Sequence, residues 1–184
     1  NSNNNEWQAF HAFANFVANG DDYGYLSTTA AFTGTAQIIP NGTDTIELKA
    51  NLLTTNESGD DFIMYAFHSV EGYSKFGGYY GNGNADGTFI FTGFRPAWVM
   101  TKRADSTDGW SIQDSKRDAG INDGDGETLY ADTNGAESAS NAVHWDMISN
   151  GFKMRTSNGY INGSGGSYVY LAFAEAPIKY ANAR

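Results

Sequence analysis

Residues 122–127 read Asn122-Asp123-Gly124-Asp125-Gly126-Glu127, so three carboxylates recur on alternate positions of a glycine-rich loop. A loop of that kind can turn its oxygens toward one hard cation, and Ca²⁺ is the ion that Asp123, Asp125 and Glu127 would hold. The run lacks the twelve-residue spacing that closes on a bidentate Glu, so a solvated turn accounts for the same residues. Asp21-Asp22 and Asp60-Asp61 are weaker places for a metal. The histidines, His11, His68 and His144, show no i, i+4 pair of the kind that binds zinc from a helix, and His144-Trp145-Asp146 offers a His–Asp contact at most. There is no cysteine and no G-x-S-x-G turn to expose a nucleophilic serine. Glycoside hydrolysis asks for two carboxylates across a cleft, and Glu47, Glu71, Glu127, Glu137 and Glu175 are available without a distinctive motif around any of them. No catalytic residue is assigned, and the chain reads as a non-enzyme.

Aromatic side chains are the better-supplied chemistry. The apolar face of a pyranose ring stacks on Trp or Tyr while short polar side chains take its hydroxyls. Tyr79, Tyr80, Trp98, Trp110, Asn134, Trp145 and Tyr160 are the residues expected to bind a ligand in this way, with Asn82, Asn84 and Asp132 near them in sequence. Packing in a β core is the competing explanation for each tryptophan, because a strand Trp is ordinarily buried. Lys102-Arg103 and Lys116-Arg117 read as solvated faces or partners of the abundant acids.

The elements that must position these groups follow from composition and alternation. The 184 residues carry 11 Lys and Arg against 21 Asp and Glu, a net charge of −10, which repels phosphate backbones and anionic lipid. Nucleic acid is therefore not expected as a partner, and no apolar run is long enough for membrane insertion by a helix. With 22 Gly, 11 Tyr, 12 Phe and only 3 Pro, the chain has the residues of short strands joined by tight turns. Asn41-Gly42, Asn82-Gly83, Asn134-Gly135, Asn158-Gly159 and Gly165-Gly166 mark turns at short intervals. The spacing predicts an all-β, antiparallel β-sandwich. Residues 98–102 alternate as a strand, with Arg95-Pro96 at its entrance. Residues 62–67 and 168–173 are nearly all apolar, which predicts two central strands buried on both faces. Over residues 7–17 a strand followed by a loop or short helix competes with a single helix.

Two stretches of the chain share one plan, displaced by a little over a hundred positions. Trp7-Gln8-Ala9-Phe10-His11 answers to Trp110-Ser111-Ile112-Gln113-Asp114, and residues 25–29 to residues 129–133. Thr45-Ile46-Glu47-Leu48-Lys49 answers to Gly151-Phe152-Lys153-Met154-Arg155, and Phe62-Ile63-Met64-Tyr65-Ala66-Phe67-His68 to Tyr168-Val169-Tyr170-Leu171-Ala172-Phe173-Ala174. Duplication explains this better than chance, and gives a first β unit over residues 1–78 and a second over 79–184, joined by a linker at residues 77–83. The second unit begins with residues 88–103, which the first lacks. Their counterparts are expected upstream of Asn1, unless the first unit is naturally shorter.

Four segments together resemble a known family. They are residues 66–83, with Glu71-Gly72-Tyr73-Ser74-Lys75-Phe76-Gly77 at their centre; residues 91–103, with Gly93-Phe94-Arg95-Pro96-Ala97-Trp98-Val99; Asn150-Gly151-Phe152-Lys153-Met154-Arg155; and Tyr170-Leu171-Ala172-Phe173-Ala174-Glu175-Ala176-Pro177. In this order they resemble the repeated modules of tailed-phage virion proteins, grouped with concanavalin A-like sandwiches. The resemblance implies an extracellular virion component: a tail fibre, appendage or capsid-surface module. Its partners would be copies of itself, other virion proteins and a host glycan or receptor. It carries no catalytic residue and no cofactor. A self-assembling capsid or filament subunit, and a glycan-processing enzyme on the same scaffold, are the alternative functions.

Overall fold

The computed structural model describes residues 6–13, 22–34, 38–41, 45–48, 55–117, 127–139 and 143–176. Among the described residues the architecture is all-β and antiparallel, apart from one short helix. The largest element is a six-stranded sheet in the order β10-β9-β8-β7-β13-β5. Its strands are β5 (Ser74–Tyr80), β7 (Pro96–Arg103), β8 (Trp110–Asp114), β9 (Glu127–Tyr130), β10 (Ser138–Ala139) and β13 (Ser167–Ala174). A three-stranded sheet has the order β11-β12-β6, from β6 (Phe89–Phe91), β11 (Trp145–Ile148) and β12 (Gly151–Met154). Two hairpin pairs complete the strands: β1 (Gln8–Phe10) with β2 (Tyr23–Tyr25), and β3 (Ile38–Asn41) with β4 (Thr45–Leu48).

β13 is the central strand that its apolar run predicts. It pairs with β5 on one side and β7 on the other, so both of its edges are satisfied and both of its faces are covered. The register puts Tyr168, Tyr170 and Ala172 on one face with Val99 and Tyr79. These join Ile90, Trp145, Met147, Phe152 and Met154 of the three-stranded sheet in one buried cluster. The opposite face carries Val169, Leu171, Trp98, Met100, Trp110 and Ile112, and takes Ala9, Leu26 and Phe32 from the first part of the chain. Pro96 opens β7 beside a register shift at Phe173/Ala174, where its missing N–H is tolerated.

Two glycines permit close approaches. A Cβ on Gly151 would lie 2.1 Å from the carbonyl oxygen of Ile90, so this residue type sets the spacing of β12 against β6. At Gly78 a Cβ would lie 1.6 Å from Cδ1 of Phe13, whose ring packs against β5.

β1 pairs with β2 and β8 with β9, with Leu26 N donating to Trp7 O at 2.8 Å and Ala131 N to Trp110 O at 3.1 Å. β3–β4 and β11–β12 are each antiparallel pairs. Residues 62–67 depart from the expectation. Instead of a buried central strand, they form no strand, and Ile63, Met64, Tyr65 and Phe67 are all exposed. An apolar run becomes a central strand only where neighbours flank it, and among the described residues no strand pairs with this one. The linker expected at residues 77–83 is also corrected. Residues 77–80 form the second half of β5, so the 78/79 boundary falls inside a strand of the large sheet. Over residues 7–17 the structure resolves the competition in favour of a strand, β1, followed by a turn at residues 12–13; residues 14–17 lie outside the described residues.

Candidate functional site

Three of the residues expected at a ligand site are core residues. Tyr79 is buried and stacked on Tyr168 with ring centroids 5.0 Å apart, and its hydroxyl donates to Ile161 O at 2.8 Å. Burial pushes its phenol well above the ordinary range. Trp110 is buried against Phe32, and its Nε1 donates to Tyr25 O at 2.9 Å. Trp145 is buried against Phe152. None of the three presents a ring face to a ligand, because alternation turns each toward a packed layer. Tyr80, Trp98, Asn134 and Tyr160 reach the surface wholly or in part. The structure does not gather them into one place.

Tyr160 belongs to a cluster of aromatic and charged groups at the loops. It lies on the single-turn helix α1 (Gly159–Asn162), whose start is fixed by Asn158, the side chain of which accepts from Tyr160 N at 2.9 Å. Its ring meets Tyr130, at the end of β9, edge to face at 6.4 Å. Gly109 packs between Tyr130 and Asp132, and Asp132 accepts from Trp110 N at 2.7 Å. Arg103 reaches Asp105 at 2.8 Å, Asp108 at 3.7 Å and the carbonyl of Gly159 at 3.4 Å. Burial holds the Asp108 carboxyl above its ordinary range, against the pull of Arg103 and Lys102. An aromatic pair beside carboxylates and a guanidinium, with Tyr160 exposed and Tyr130 half-buried, is an arrangement that stacks a sugar ring and bonds its hydroxyls. Asn134 lies exposed in the β9–β10 loop that also holds Asp132.

Trp98 belongs to a second cluster, on the face of the large sheet that carries Leu171. Phe173 is its hub, with ring centroids 5.6 Å from Trp98, 5.7 Å from Phe76, 6.0 Å from Tyr73 and 6.2 Å from Phe67. Trp7 stacks on Tyr65 at 6.0 Å. Tyr65 and Phe67 are each more than 60% exposed, and Trp7, Ile63 and Met64 are exposed beside them. Sequence reasoning found Trp98 and missed the rest. The clue was present in residues 62–68, an apolar run that must meet a partner wherever it is not buried.

The polar candidates take structural parts. Asn82 and Asn84 serve Asn162, which is fully buried: its Nδ2 donates to Asn82 Oδ1, Asn84 O and Thr156 O at 2.8–2.9 Å, and its Oδ1 accepts from Asn82 N at 3.0 Å. The His–Asp contact forms, with His144 Nε2 3.4 Å from Asp146. Arg155 Nε holds the other oxygen of Asp146, and its guanidinium joins Lys153 in facing Asp86. The result is a charge ladder that ties the loop before β6 to β11 and β12. Glu137 is paired with Arg117 at 2.8 Å and Glu175 with Arg95 at 3.3 Å. For the metal site, Glu127 is half-buried at the start of β9, while Asp123 and Asp125 lie outside the described residues. Among the described residues no three His, Cys, Asp or Glu side chains are grouped to hold an ion.

A family model described as "Domain of unknown function (DUF7483)" matches residues 1–177. No curated protein matches the chain, and no solved structure does.

Proposed function

The chain belongs to the DUF7483 family, and we propose that it is a non-enzymatic surface module of a tailed-phage virion, part of a tail fibre, an appendage or the capsid exterior. The observation that carries the reading is the aromatic face around Phe173, continued by Trp7, Tyr65 and residues 62–64. Isolated soluble domains rarely keep an apolar surface of that extent in contact with water, and assembly covers it. The resemblance of residues 66–83, 91–103, 150–155 and 170–177 to repeated virion modules supplies the kind of assembly. On this reading the two sheets belong to a concanavalin A-like sandwich, and the corresponding β1–β2 and β8–β9 pairs descend from two related units. Partners are copies of the chain and other virion proteins. Mass spectrometry of purified particles, with immunogold labelling against this chain, tests it. Label on tails or capsid exteriors is expected, and absence of the chain from infectious particles overturns the reading.

The loop cluster favours a second role within the same setting: binding a host glycan through Tyr130 and Tyr160, with Asp132 and Arg103 toward the hydroxyls. Tyr160 is exposed and its ring supports no buried layer, so Tyr160→Ala is expected to fold normally and lose about tenfold in glycan affinity, the worth of one stacking contact. Titration of both proteins against surface polysaccharide of the host checks this. Equal affinity removes Tyr160 from any binding site.

A further inference from the structure

We propose that residues 62–68 are a pairing strand, and that its partner is the same segment of a second copy of this chain, running antiparallel with Tyr65 opposite Tyr65. This deepens the assembly reading and rests on it, since it names the occupant of the exposed aromatic surface.

Three observations carry it. The first is the backbone. Among the described residues the main chain of residues 62–67 has no hydrogen-bond partner, although Phe62-Ile63-Met64-Tyr65-Ala66-Phe67 is rich in the β-branched and aromatic residues that fill strands. Its sequence counterpart, β13, is bonded on both sides. An apolar segment with unbonded N–H and C=O groups is a template for another strand. The free edge of β5 in its own chain is engaged in part: Ser74 exchanges backbone bonds with Val70, Phe76 N donates to Ser69 Oγ at 3.0 Å, and Tyr80 O accepts from Thr88 Oγ1 at 2.8 Å.

The second is area. Phe62, Ile63, Met64, Tyr65 and Phe67, with Trp7 and Tyr73 beside them, are 39–72% exposed. At 150–250 Å² for each large side chain, they leave roughly 800 Å² of apolar surface open, which is the contribution of one partner to an interface of ordinary size.

The third is the placement of charge. Asp60 and Asp61 precede the segment, while His68 and Lys75 lie at and beyond its end. A parallel pair would set the four aspartates of two copies side by side. The antiparallel pair places Asp61 opposite Ser69 and separates the two Asp61 side chains by about 27 Å along the strand, several screening lengths away. For a chain of net charge −10, an apolar seam that parts its acids is where two copies can meet. In this register Ile63, Tyr65 and Phe67 share one face of the ribbon with the same residues of the other copy, and the pair has the two-fold symmetry of a closed dimer.

The chain contains no cysteine, so a single introduced one reports the register without interference. Residues directly opposite in an antiparallel pair have Cα atoms within disulfide range. The full chain should elute with the mass of a dimer by light scattering. Tyr65→Cys should cross-link to a covalent dimer under mild oxidant, and Asn134→Cys, in an exposed loop, should not. Ile63→Lys should be monomeric with an unchanged far-ultraviolet circular dichroism spectrum. A wild-type monomer at every concentration overturns the pairing and leaves the surface to a different partner. A dimer that survives Ile63→Lys, or that cross-links equally from both cysteines or from neither, overturns the segment or the register. If pairing fails while virions carry the chain, the virion reading stands alone. If pairing succeeds while virions lack the chain, the reverse holds.

Discussion

His11 is a histidine fixed in its neutral form by geometry. Its Nδ1 accepts from Phe13 N at 3.2 Å, and its Nε2 lies 3.3 Å from the carbonyl of Tyr170, so the proton belongs on Nε2. Burial lowers its pKa from 6.5 to about 4, against the pull of the Tyr170 carbonyl. Because the folded value lies below the unfolded one, the contribution of this residue is fully present above pH 6.5. It falls between pH 6.5 and about 4, where only the unfolded chain takes up the proton. The loss amounts to at most about 3 kcal/mol. Urea titrations at pH 7 and pH 4.5 should show His11→Gln losing less stability on acidification than the wild type, and equal losses would contradict the assignment. Lys102 carries the same trend at higher pH, since its folded value also lies below the unfolded one and its contribution falls as pH drops from 10.5 to about 8. It is fully buried, with Nζ bonded to Arg103 O at 2.7 Å and Thr29 O at 3.3 Å, and burial lowers its pKa to about 8 in spite of Asp108 and Asp132. Asn162 is the residue that sequence reading could not find, since an asparagine before Gly163 looks like any other turn residue in an Asn- and Gly-rich chain. Asn162→Ala would orphan the carbonyls of Asn84 and Thr156 and the amide of Asn82, and should cost about 3 kcal/mol in urea unfolding. A cost below about 1 kcal/mol would mean that water replaces these bonds.

Strands were legible where sequence pattern and neighbourhood agree. β7 and β13 follow from alternation and from an unbroken apolar run, and both are central in the large sheet. Residues 62–67 have the same pattern as β13 and a different outcome, because periodicity records what a segment can bury and not whether two strands stand beside it. β5 was misread for a related reason. Gly77-Gly78 looks like a linker, yet the glycines are where Phe13 and Tyr170 press on the strand. The same geometry at Gly151 yields a prediction for the three-stranded sheet. Gly151→Ala sets a methyl group against the Ile90 carbonyl, and should lower stability by about 1–3 kcal/mol as β6 is pushed from β12. Chemical denaturation checks the figure, and Gly165→Ala, at a site open to solvent but with φ of +74°, separates backbone strain from crowding. An unchanged midpoint for Gly151→Ala would show that β6 does not need its close approach.

At the scale of the molecule, the all-β antiparallel class was readable from Gly, Tyr and Phe usage, and which strand aromatics are buried was not. Four strand aromatics have the same appearance in sequence, but Tyr79, Trp110 and Trp145 are buried while Trp98, on the same face as Trp110, lies half-exposed, because Phe32 packs on Trp110. The surface then divides by chemistry into an apolar side around Phe173 and residues 62–68, and a polar loop cluster around Tyr130, Tyr160 and Arg103. The proposed assembly role uses both kinds, one to be covered and one to stay in water. The most direct test is cryo-electron microscopy of native particles at a resolution that shows side chains. The account predicts density for this chain on the tail or capsid exterior, with residues 62–68 covered by another protein chain and Tyr160 facing solvent. Particles without this chain, or a chain on the particle whose residues 62–68 remain bare, would contradict it.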